Sequence, residues 1–217
     1  SFKQGFSTSA ENVSWLWKRA PSYFDVVAYT GTGSATTISH NLGVAPEMMW
    51  IKRRDATGFW SVYHKDVGAT KALLLHDTNA EFSSTVFNNT APTSSVFSVD
   101  STSRVNASGG TFIAYLFATV AGVSKVGSYT GNDTGQNIDC GFSNGARFVL
   151  IKCSSHGDRS WMVFDSTRGI VAGADPFLTL NSNSAEYYAY NGAGSEQNYT
   201  SSNLDLIDPY SSGFAVV

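Results

Sequence analysis

With 217 residues, 42% of them hydrophobic and only 14% charged, the chain has the composition of a globular protein able to bury one large core or two smaller ones. Its net charge of −3 and pI near 5.7 give it no basic field with which to displace counterions from nucleic acid, and Lys52-Arg53-Arg54 is its one basic cluster. The longest uncharged run, 105–124, holds an apolar stretch of only about ten residues where a membrane helix needs roughly 20, so neither nucleic acid nor membrane insertion is expected.

Residues 1–11 are polar and broken by Gly and Ser, and no initiator Met or leader-like pattern opens the chain, so Ser1 reads as a product of processing or a point within a longer protein. The patterned part begins with Val13-Ser14-Trp15-Leu16-Trp17 and halts at Pro21. Tyr23 to Thr30 alternates and is rich in β-branched and aromatic residues, which predicts a strand; Gly31-Thr32-Gly33-Ser34 turns it into a second strand, Thr36 to His40. After Pro46 the run Glu47 to Lys52 is nearly all apolar, the pattern of a central strand covered on both faces. Trp60 to Tyr63 alternates, which predicts another half-buried strand; the patterned stretches Lys71 to His76 and Ser94 to Phe97 follow, and Gly109-Gly110 leads into a last strand, Thr111 to Thr119.

The pattern then starts again 100 residues later. Val26-Val27-Ala28-Tyr29-Thr30-Gly31 returns as Val126-Gly127-Ser128-Tyr129-Thr130-Gly131, Val13 to Trp17 matches Ile113 to Phe117, and Ile51-Lys52 matches Ile151-Lys152. Trp60 to Tyr63 is answered by Trp161 to Phe164, and Leu73-x-Leu75 by Leu178-x-Leu180. The copies part between Glu81 and Ser94, where the first uses 12 residues and the second, from Glu186 to Ser211, uses 24. Self-similarity at a fixed period marks a repeat architecture. The expected fold is therefore all-β, two tandem β-sandwich domains of jelly-roll type. Residues 1–21 form an N-terminal segment holding the counterpart of a repeat's last strand, 22–120 the first sandwich, and 121–217 a second one lacking its final strand.

Chemistry is sparser than architecture. Cys140 and Cys153 take the places of His40 and Arg53 and point to opposite faces of neighbouring strands, which predicts two buried or half-buried thiols rather than a disulfide. His40 is expected in the core with its ring hydrogen-bonded; none of the four histidines has metal-ligand spacing. Of the first copy's carboxylates, only Glu81 finds a carboxylate at its counterpart, Glu186. Asp158, Asp165, Asp175, Asp205 and Asp208 are the raw material for a polysaccharide-cleaving pair in the second copy alone, and Asp205 with Asp208 for Ca²⁺, though without the spacing of a dedicated site. No catalytic residue, metal or cofactor is assigned, and the chain is not expected to be an enzyme. Trp50, Trp60 and Trp161 fall on the apolar pattern and are expected in the core, whereas Tyr187, Tyr188, Tyr190 and Tyr199, set among Gly, Ser, Asn and Gln, offer a surface able to stack on sugars or to fill a protein interface.

The strings Tyr29-Thr30-Gly31-Thr32-Gly33, Ile38 to Met49, Tyr115-Leu116-Phe117-Ala118, Gly127 to Gly131 and Asp208 to Phe214 resemble the tandem-repeat domains in virion proteins of marine bacteriophages, especially cyanophages, over residues 13–217. The resemblance implies a non-enzymatic structural or tail-fibre-like protein of the virion or extracellular space, with host attachment as a further role, and carries over no catalytic residue. A host-glycan-binding module built on the Tyr187 to Tyr199 insert is the alternative expectation. The N-terminal stretch offers what the second repeat lacks, so assembly by strand exchange is expected, with Val13, Trp15, Leu16 and Trp17 as the donated strand and other copies of the chain, or other virion proteins, as partners. The rival expectation is a fragment of a longer repeat protein.

Overall fold

The computed structural model describes residues 13–173, 175–184, 186 and 205–217. Its strands in chain order are β1 (Phe24–Thr30), β2 (Thr36–Ser39), β3 (Met48–Arg53), β4 (Trp60–His64), β5 (Lys71–Leu74), β6 (Phe82–Ser83) and β7 (Val96–Val99). After the one-turn helix α1 (Ser103–Asn106) come β8 (Thr111–Phe117), β9 (Gln136–Asp139), β10 (Phe148–Ile151), β11 (Met162–Asp165), β12 (Leu178–Thr179), β13 (Ile207–Tyr210) and β14 (Gly213–Val216). The protein is all-β, as its alternating sequence predicts.

A six-stranded sheet runs β1-β8-β3-β4-β5-β6, and β2 pairs with β7 in a separate two-stranded sheet. Strand β8 sits between β1 and β3, antiparallel to both, with Trp50 opposite Tyr115 and Val27 opposite Ala114. Period-2 geometry sends Phe112, Ala114 and Leu116 to one face, where they pack with Met49 and Ile51 of β3, Phe97 and Val99 of β7, and Val105 of α1. The β2-β7 pair therefore roofs this face of the large sheet.

Two further sheets, β10-β11-β12 and β13-β14-β9, enclose a second cluster made by Val149, Phe164, Phe177, Ile207 and Phe214. The other face of the large sheet meets the β10-β11-β12 sheet: Val62, Leu73 and Leu75 pack with Trp161, and Leu150 and Leu180 lie against them. Both faces of β3 are thus covered, which is why its sequence reads as a nearly continuous apolar run. Polar bonds tie the same contact, Trp161 Nε1 donating to Leu74 O (2.8 Å), Glu81 N to Ser154 O (2.8 Å) and Lys152 Nζ to Thr78 O (3.2 Å).

One glycine of the repeated motif has a steric reason. A Cβ on Gly31 would lie 2.2 Å from the carbonyl oxygen of Ala107, because buried Asn106 draws the β1 turn in by bonding Thr32 N, Ser34 O and Asp100 O.

One expectation is corrected: Val126 to Thr130 forms no strand, although its counterpart is β1. Val13 to Trp17 joins no ladder in the single chain. Strand β13 includes Pro209, in a short ribbon where only one neighbour, β14, is paired. The cysteines are both free and half-buried, as their parity predicts. His40 is buried, its Nε2 donating to Thr93 O (3.2 Å) while Nδ1 accepts from Leu42 N (3.3 Å).

Candidate functional site

The alternation that buries Met49, Ile51, Ala114 and Leu116 points Trp50, Tyr115 and Phe117 the opposite way, and Trp60 of β4 and Phe24 of β1 join them. Trp50 packs on Phe117 at 4.7 Å between ring centroids, Trp60 stacks on Tyr115 at 6.3 Å, and Phe24 lies 5.0 Å from Phe117. These contacts fall in the range where aromatic pairs attract beyond simple burial. Where this face is not covered by the β10-β11-β12 sheet, Trp15 and Trp17 close it. Trp17 meets Phe117 and Phe148 edge-on, at 6.2 and 5.5 Å, and Trp15 meets Phe148 at 5.8 Å. The rings enclose a cavity of about 540 Å³.

The lining side chains are mostly aromatic and aliphatic. Nε1 of Trp50 is buried, with almost no accessible surface, and has no hydrogen-bond partner among the described residues. His76 accepts from the backbone N of Trp60 through Nδ1 (3.3 Å), which leaves the ring proton on Nε2, and Phe59 stacks on the same ring at 5.0 Å.

The wall carrying Trp15 is held by a polar latch. Asp165 accepts from Trp15 Nε1 (3.1 Å), from Nε of Arg168 (2.9 Å) and from the backbone N–H groups of Thr167 and Arg168 (3.0 Å each). Arg168 donates onward to Glu186 Oε2 (3.2 Å) and Val163 O (3.1 Å) and lies 5.9 Å from the Trp15 ring. Burial pushes the Asp165 carboxyl up, but the backbone and guanidinium of Arg168 and the Trp15 indole outweigh it and hold the group below the ordinary carboxylate range. Asp165 is thus a fixed anion with every lone pair engaged, a structural role and not a base.

The other residues singled out in the sequence scatter. Tyr187, Tyr188, Tyr190 and Tyr199 lie outside the described residues. Trp15 and Trp17 are half-buried against their own chain, while Val13 is 45% and Leu16 94% exposed. Asp175 is fully buried and accepts from the N–H groups of Val171, Leu206 and Ile207; burial nonetheless raises its pKa. Asp158 is exposed in a turn with φ of 58°. Asp205 and Asp208 each keep one buried carboxylate oxygen without a partner, yet no group of three metal-capable side chains occurs among the described residues. Glu81 pairs with Lys71, and Glu186 with Arg168.

Sequence reasoning placed Trp50 and Trp60 in the core, and only Trp161 is fully buried. The missed signal was parity: Trp50 alternates with Met49 and Ile51, so it has to face the opposite side of β3. A profile described as a domain of unknown function, DUF7483, matches residues 4–206. No curated protein and no solved structure matches the chain.

Proposed function

The chain belongs to the DUF7483 family, and from that premise we propose that it is a non-catalytic structural module of a virion or extracellular fibre, made of two tandem β-sandwiches that assemble by exchanging a strand between subunits. One observation carries the reading. Glu81 and Glu186, the one pair of carboxylates at matching positions in the two copies, are committed to ion pairs with Lys71 and Arg168, so what is duplicated is framework and not chemistry. Placement in a virion or fibre draws on the resemblance of the repeats to marine bacteriophage virion proteins.

Strand exchange is supported by a slot and a plug. In the first repeat β8 bridges β1 and β3, whereas in the second, among the described residues, β10 pairs only with β11 and 126–130 joins no ladder. By the 100-residue offset Leu16 stands where Leu116, fully buried, fills the core, yet Leu16 is 94% exposed. An exposed leucine on a β8-like segment and an open β8-like slot are complementary, and filling the slot satisfies edge backbone groups and covers apolar surface together. Such a contact joins unlike surfaces and does not close on itself, so repetition builds a filament.

Sedimentation velocity and electron microscopy of the purified chain test this. Concentration-dependent, head-to-tail particles are expected for the natural sequence, and monomers for Leu16→Asp, whose side chain touches little in the free chain. A chain that stays monomeric at high concentration, or particles that persist in Leu16→Asp, would refute strand exchange. Turnover in a polysaccharide-hydrolase screen, lost on changing Asp158, Asp165, Asp175, Asp205 or Asp208, would replace the structural reading with an enzymatic one.

A further inference from the structure

By the 100-residue offset Trp15, Leu16 and Trp17 are the counterparts of Tyr115, Leu116 and Phe117, and Phe148 is the counterpart of Met48. In the first repeat Phe117 pairs with Met48 where β8 joins β3, and Tyr115 pairs with Trp50. The matching place for Trp17 is therefore beside Phe148, and Trp17 does meet Phe148 of its own chain, edge-on at 5.5 Å. Trp15 departs from the match. Instead of standing opposite Leu150, it too meets Phe148, at 5.8 Å, and its Nε1 donates to Asp165, the residue across the β10-β11 ladder from Phe148. The segment thus reaches across β10 at one end of the slot without running along it, and Leu16 is left 94% exposed.

Two buried carboxylates hold it there. Arg19 at its base pairs with Asp25 (2.5 Å), a residue 2% exposed. At its tip Asp165 is already fixed by the Arg168 guanidinium and by two backbone N–H groups, so it offers Trp15 a preformed acceptor. A hydrogen bond to an ionised acceptor is among the stronger kinds. Placing 13–17 in a neighbour's slot requires that bond to break and both indoles to leave Phe148, whereas the Arg19–Asp25 pair lies outside the exchanged stretch and can persist. The docked segment and the donated segment are therefore two states of the same residues, and each excludes the other.

We propose that assembly is autoinhibited: docked on its own second half through Trp15 and Trp17, the segment is withheld from the neighbouring subunit until the Trp15–Asp165 bond opens. This inference rests on the strand-exchange reading and adds its control. The affinity of one chain for the next is reduced by the fraction of chains whose segment is free, so a change that weakens the docked state and spares the exchanged one raises assembly. Trp15→Phe meets that condition. It removes the donor to Asp165 but keeps a ring where the first repeat carries half-buried Tyr115. Trp15 is itself half-buried and joins no ladder, so the fold does not depend on it.

The test is light scattering and sedimentation velocity on the full chain over a concentration series, comparing the natural sequence with Trp15→Phe and with Trp15→Phe carrying Leu16→Asp. Trp15→Phe is expected to assemble at about one tenth of the concentration that the natural sequence needs, a shift of ~1.4 kcal/mol. Adding Leu16→Asp should return it to monomer, which ties the gain to the exchanged segment and not to general loosening. Equal or weaker assembly by Trp15→Phe would overturn autoinhibition and leave strand exchange standing. Absence of particles from both the natural chain and Trp15→Phe would overturn strand exchange and this inference with it. Particles that persist in the double variant would do the same, because they would not be built from the segment.

Discussion

Residues 24–30 and 124–130 share a place in the repeat and the motif Tyr-Thr-Gly at its end, but only the first is a strand. Phe24–Thr30 is laddered along its whole length to β8, whereas 126–130 has no ladder. Local preference separates them in part, since Ser124 and Gly127 stand where Phe24 and Val27 favour a strand, while Tyr and Thr are common to both. A neighbour separates them further: β8 stands beside β1, and no strand among the described residues stands beside 126–130. A strand is thus a property of a pair as well as of its own letters.

The comparison can be broken hardest at the contact between the halves, where the second copy leans on the first. Trp161 is 3% exposed and bonds Leu74 O, whereas its counterpart Trp60 is half-buried at the cavity. Trp161→Ala should lower stability by about 3–5 kcal/mol in urea unfolding, and Trp60→Ala by clearly less. Equal losses would mean that the two copies are equally self-sufficient.

Next in size is the latch, which exists in the second copy only. Arg168→Ala leaves Asp165 buried without its main partner and should cost about 3 kcal/mol, with Trp15 fluorescence shifting as its indole loses a fixed acceptor. The glycines sharpen the contrast further. A Cβ on Gly31 meets backbone at 2.2 Å, and one on Gly131 meets nothing within 4 Å. Gly31→Ala should therefore cost about 1–3 kcal/mol, and Gly131→Ala less than about 0.5 kcal/mol, both read from thermal melts.

The smallest expected effect is on acidification, again confined to the first copy, since Cys140 replaces His40. Burial lowers the His40 pKa, with the bond to Thr93 and the charge of Asp25 opposing it. Between that lowered value and the ordinary imidazole value near 6.5, the unfolded ring binds a proton that the folded ring does not, so stability rises with pH across the window. Stability should fall as pH drops below about 6.5, and His40→Gln should flatten that part of the slope. Half-buried His64, its pKa also lowered chiefly by desolvation, contributes with the same sign.

Much of the fold was legible because burial imposes a period. The strands predicted at Tyr23 to Thr30, Thr36 to His40, Glu47 to Lys52 and Thr111 to Thr119 are β1, β2, β3 and β8 within a residue or two, and the apolar run at Glu47 to Lys52 foretold a strand covered twice. Partnership was not legible. Nothing in Val126 to Gly131 says that no strand lies beside it, and nothing in Val13 to Trp17 says that its tryptophans dock by their rings while its backbone joins no ladder. The site was half legible: the tryptophans stood out, but their apolar character hid the parity that turns Trp50 and Trp60 away from the core. The Trp50 N–H without an acceptor is a fact of packing that no sequence displays.

Hydrogen exchange, read at 126–130 and at Phe148–Ile151 across the concentration at which particles form, tests strand exchange most directly. Assembly should bring the amides of 126–130 to the protection seen in Phe24–Thr30 and slow those on the open edge of β10, while Leu16→Asp stays monomeric and keeps both fast. Particles whose 126–130 amides still exchange as quickly as in the monomer would contradict it.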